Sequence, residues 1–194
     1  MKKNRFIELI LALALALGTV FVSSCSSPYS DEQLIEMFKT KYERSYVLNE
    51  YIWGEGIPAS EYNAENITTE SYYVTVANDA EFKSKADFIA ALNSVYVSDF
   101  VDMEISQLLF EGYGDDGPAP RYGEINGFLS INVLDDGNEN VGVGKFLPET
   151  ARVKKATKST VVFTVTYERD GKTSDYDLMM RLDGDEWKFE APTY

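Results

Sequence analysis

Histidine is absent from all 194 residues, and cysteine occurs once, as Cys25. Without imidazole, no Cys–His pair, Ser–His–Asp triad or His/Cys zinc site can be assembled. The usual near-neutral proton shuttle is missing as well. Acid–base or nucleophilic work is left to carboxylates, Lys, Tyr, Ser and Thr, and the weight moves from catalysis toward binding or inhibition. A single thiol closes no internal disulfide, so stability rests on an ordinary core. Positive charge is scarce: 18 Lys and Arg face 32 Asp and Glu, a net −14. Such a chain repels nucleic acid and anionic lipid and attracts a basic partner, although acidity also serves plain solubility. No apolar run reaches the about 20 residues of a membrane span.

The longest apolar run, Leu9 to Val22, follows Lys2, Lys3 and Arg5, with Glu8 at its edge, and leads through Ser23 and Ser24 to Cys25. A basic start, a short apolar stretch and small residues are the layout of a secretory signal. The ending Val22-Ser23-Ser24-Cys25 resembles a bacterial lipobox, with valine where leucine is usual. The resemblance implies cleavage before Cys25, thioether linkage of its sulfur to diacylglycerol, and an extracytoplasmic protein anchored to membrane lipid by that cysteine. Two or more acyl chains anchor stably, whereas one does not. On this reading residues 1–24 are a signal peptide, 25–30 a tether and 31–194 a single α+β domain. Removal of residues 1–24 takes away a net +2 and leaves −16.

Ser30 and Gln33 form a capping-box pattern ahead of Leu34, Ile35, Phe38 and Tyr42 at helical spacing, and Gly54 stops that helix. Tyr72–Val76 reads as a strand. Ser84 starts a second helix with Phe88, Ile89, Leu92, Val95 and Tyr96 inward. Ser98 caps a third, with Val101, Ile105, Leu108 and Leu109 inward. Gly112–Pro120 is a break, and strands follow. Tyr122–Ile125 and Phe128–Val133 flank Asn126-Gly127, a hairpin turn. Residues 134–146 read as a loop. Ala151–Ala156, Thr160–Tyr167, Tyr176–Leu182 and Glu186–Phe189 form a closing meander, turned at Asp170-Gly171 and Asp183-Gly184. Helices first and strands last predict an α+β fold, with helices on one face of a twisted antiparallel sheet.

That order, with the ending Gly184, Trp187 and Lys188, is similar to cystatin-like and nuclear-transport-factor-2-like domains. The stretch Tyr51–Gly56, the helix 82–96 leading to Ser98-Asp99-Phe100-Val101, and the terminal meander resemble the secreted DL-endopeptidase inhibitors of Gram-positive cell walls. This resemblance covers about residues 30–192 and implies a non-enzymatic protein that binds a cell-wall hydrolase and restrains peptidoglycan cleavage. It assigns no functional residue and implies no cofactor.

The candidate residues each carry two readings. Asp99 and Asp102 share a helix face and form a carboxylate pair for acid–base work if one is buried; otherwise they merely suit a helix N-terminus. Trp53, Tyr113 and Tyr122 line a groove that stacks on a sugar or a partner side chain, or pack in the core; core packing is the stronger reading for Trp53. Trp187 reads as core. The oxygen-rich runs 114–117 and 135–140 lack EF-hand spacing and read as solvated loops, with no metal site. Asn66-Ile67-Thr68 matches a glycosylation acceptor by coincidence. The favoured function is a membrane-anchored, non-catalytic binding lipoprotein that inhibits a wall hydrolase. The alternatives are a small-molecule binder or carboxylate-dependent enzyme, and a structural part of an envelope assembly.

Overall fold

The structure is a computed structural model and describes residues 27–68, 71–112, 119–135 and 144–193. Its first element is the 22-residue helix α1, Asp31–Ile52. Ser30 accepts a hydrogen bond from the Gln33 N–H, and the Gln33 side chain accepts one from the Ser30 N–H, so the capping box forms as the sequence predicts. Asp31 and Glu32 sit in the first turn, where the helix dipole favours anions. Trp53 caps the far end, one residue before Gly54. Leu34, Phe38, Tyr42, Leu48 and Ile52 form the buried stripe.

Helix α2, Lys85–Asn93, is capped by Ser84 and buries Phe88 and Leu92. The third helix, α3 (residues 98–111), is not a simple α-helix. Ser98–Phe100 is α-helical, and Val101–Ile105 and Gln107–Glu111 are wound as π turns. Val97, Val101, Ile105 and Leu109 are all buried, at a strict four-residue interval. On a 3.6-residue helix that interval drifts by about 40° per step. A π turn, with more residues per turn, drifts the other way, so the mixed winding of α3 is compatible with burial of all four. The sequence reading made Ser98 the cap; Val97 occupies that position instead and makes no side-chain cap bond.

The strands are antiparallel and divide into two sheets, not one. In the three-stranded sheet, β1 (Tyr73–Thr75) and β2 (Tyr122–Ile125) flank β3 (Phe128–Asn132). The four-stranded meander runs β4 (Gly144–Ala156), β5 (Thr160–Arg169), β6 (Lys172–Asp183) and β7 (Glu186–Phe189). Asn126 and Gly127, at φ 53° and 81°, turn the β2–β3 hairpin, and Asp170 and Gly171, at 52° and 69°, turn β5 into β6. Both residues of each turn need positive φ, which Asn-Gly and Asp-Gly supply. Asp183 pairs with Glu186, so the last turn is Gly184-Asp185 rather than Asp183-Gly184. Strand β4 starts at Gly144, inside the predicted loop, and its register shifts twice, the first time across Pro148. A bulged edge strand tolerates proline and resists pairing with other chains.

Helix α1 is the strut shared by both sheets. Its first half packs on the meander, where the Phe38 ring lies 4.8 Å from Phe163 and 5.6 Å from Phe189. Its end packs through Tyr51 against Phe82 and Phe88, and Phe88 meets Tyr122 of β2 at 5.4 Å. Burial of each such ring contributes about 1.5–3 kcal/mol. A buried polar chain fixes the C-terminus to the same helix. Thr193 donates to Ser45 and accepts from Asn49, and Tyr96 donates to Asn49 at 2.6 Å.

Candidate functional site

Strand β7 alternates in burial: Glu186 and Lys188 face outward, and Trp187 and Phe189 inward. The hairpin before it therefore sets Asp185 and Glu186 beside the indole of Trp187. Opposite stands the N-terminal half of α1, with Gln33, Glu36, Met37, Thr40 and Lys41 along its outer edge. Tyr29, from the segment before the helix cap, completes the wall of a groove of about 500 Å³. The Tyr29 ring meets Trp187 edge-on, at 6.3 Å and 79°. Trp187 is 4% exposed and Tyr29 42%. Lys41 reaches across to the Ser94 carbonyl and to Glu186 at 3.3 Å. Glu36 and Asp185 have no cationic partner among the described residues, and neither does the buried Trp187 indole N–H find an acceptor there. The groove thus joins an apolar, aromatic floor to a rim with unmatched negative charge.

A second aromatic surface begins where the groove ends on α1, about three to four turns from the start of the helix. Tyr42 and Tyr46 of the helix join Phe146, Tyr167 and Tyr176 at the open end of the meander, with successive rings 5.0–6.5 Å apart. Burial pushes the Tyr42 phenol up to about 12, although its oxygen accepts the Phe146 N–H. Tyr46 and Tyr176 are exposed.

The sequence-predicted candidates do not converge. Asp99 and Asp102 are both exposed on α3. Asp99 accepts two hydrogen bonds from Arg181, at 2.7 and 2.8 Å, which hold its carboxyl below the usual carboxylate range. A solvated carboxylate already bound to a guanidinium is poorly placed to accept a substrate proton. The cleft beside it, about 270 Å³, takes in Asp99 and Arg181 but not Asp102. Tyr122 lines no groove: it is fully buried. Its hydroxyl donates to the Tyr51 carbonyl at 2.7 Å and accepts the Ile57 N–H at 2.9 Å, and burial pushes it up to about 12. It is a buckle between β2 and the chain leaving α1. Trp53 is half-buried and packs against the core. Tyr113 and Cys25 lie outside the described residues, as do most of the two oxygen-rich runs.

Sequence reasoning missed Tyr29, placed in a polar tether, and the location of Glu36 and Asp185 on one groove. One signal was available. Tyr29 stands just before the helix cap, where an apolar residue ordinarily folds back against the structure that follows. Among known proteins, no family model matches the chain and no curated protein matches it.

Proposed function

We propose that the chain is a binding lipoprotein held at the outer face of a bacterial membrane through lipidated Cys25, working by occupancy rather than catalysis, and that its groove receives a basic protein partner. A peptidoglycan hydrolase is the partner class, and restraint of its cleavage the outcome. The observation that carries the reading is the groove between α1 and the β6–β7 hairpin, apolar in its floor and unmatched in negative charge at Glu36 and Asp185. Interface anchors are typically buried aromatics ringed by polar groups, and complementary charge steers the encounter. The pairing of Asp99 with Arg181 weighs against the carboxylate-enzyme alternative.

Immobilised protein beginning at Ser26 tests it against a set of wall hydrolases, with peptidoglycan cleavage measured in parallel. Retention at low salt, loss of retention at high salt and slowed cleavage are expected. Double reversal, Glu36→Lys with Asp185→Lys, abolishes retention. A protein that holds no hydrolase and leaves cleavage unchanged overturns the proposal.

A further inference from the structure

We infer that the groove corner formed by Tyr29, Trp187, Glu36 and Asp185 is a socket for a lysine side chain of the partner. This rests on the binding reading above and names the chemical group that the site takes.

The socket is built from two elements distant in sequence. Tyr29 and Trp187 stand edge to face at 6.3 Å. An exposed tyrosine ring attracts cations through its negative face, and Tyr29 is 42% exposed, with Trp187, 4% exposed, packed behind it. Met37 and the indole body give an apolar surface on which a four-carbon stem can lie. Glu36 from α1 and Asp185 from the hairpin stand on the two sides of the groove, and neither is neutralised by a cation among the described residues. A compact ammonium with three rotatable donors can serve two carboxylates that do not share a plane, whereas a guanidinium fork prefers one planar partner.

A further observation points to an incoming cation. The chain's own Lys41 already shows the chemistry at the neighbouring position, its ammonium lying 3.3 Å from Glu186 within the same groove. The third wall carboxylate is thereby satisfied, and Glu36 and Asp185 remain.

The test uses the protein purified from its producing cell in nanodiscs of zwitterionic lipid, carrying Trp53→Phe so that Trp187 is the sole tryptophan. Three blocked tripeptides serve as probes: Gly-Lys-Gly, Gly-norleucine-Gly with the same stem but no ammonium, and Gly-Glu-Gly. The readouts are Trp187 fluorescence and its indole N–H resonance. The lysine peptide should give a saturable shift, and the other two should not. Glu36→Gln and Asp185→Asn should each weaken the lysine peptide about two- to five-fold, the range of an exposed cation contact. Tyr29→Ala should do the same while Tyr29→Phe retains binding. Equal response to lysine and norleucine, or no effect of the two carboxylate changes combined, overturns the socket. Hydrolase retention separates the two claims. Retention with no lysine response removes the socket alone, and a lysine response with no retained hydrolase removes the docking proposal alone.

Discussion

Tyr122 shows how one hydroxyl can hold a junction. It bonds the last turn of α1 through the Tyr51 carbonyl and the following loop through the Ile57 N–H. Tyr122→Phe keeps the ring in the core and leaves both backbone groups short of a partner. The expected loss is about 1–3 kcal/mol in urea unfolding, read as a lower midpoint at constant slope. Gly56 belongs to the same junction: its φ is +89°, and a Cβ there would meet the Ile131 side chain at 2.6 Å. None of this was legible in the sequence. A tyrosine flanked by Arg121 and Gly123, just after a glycine- and proline-rich break, has the look of an exposed loop aromatic. Only the long-range fold, which brings residue 122 to residues 51 and 57, turns it inward. Asp99 shows the same limit, since its partner Arg181 lies 82 residues further along the chain.

Elements were more legible where local chemistry decides them. The Ser30–Gln33 box, the Ser84 cap and the Asn126-Gly127 and Asp170-Gly171 hairpins act over two to four residues and stand where the sequence puts them, whereas the last turn is shifted by one residue to Gly184-Asp185. The split into two sheets was not legible, because strand partnership depends on contacts between distant segments. The π winding of α3 had a trace in the four-residue repeat from Val97 to Leu109, which reads equally as an α-helix. Helix α1 is the element on which both sheets and the groove depend, so its start can be tested directly. Ser30→Ala removes the acceptor for the Gln33 N–H and should cost about 1 kcal/mol in urea unfolding. The exposed side of α1 keeps its composition in that variant, and an unchanged midpoint would show that tertiary packing alone sets the first turn.

Across the whole molecule, alkaline pH is the expected weakness. Burial is the leading cause of the raised phenols of Tyr42, Tyr73 and Tyr122, each up to about 12. Their unfolded values lie near 10. Above pH 10 the unfolded chain sheds these protons while the folded one keeps them. Stability is therefore full below about pH 10 and falls as pH rises toward 12. Urea midpoints at pH 8, 10 and 11 should decline only over the last interval, with tyrosinate absorbance near 295 nm rising together with unfolding; a flat profile to pH 11 counts against burial of the three phenols. The acidic balance of the chain was plain from composition, but not where the unmatched part of it gathers. That place has a spatial corollary. Tyr29 sits four residues after Cys25, and four residues of extended backbone reach at most about 14 Å. Were Cys25 lipidated as we propose, that leash would be shorter than the helix it precedes and would confine capture to partners that skim the bilayer.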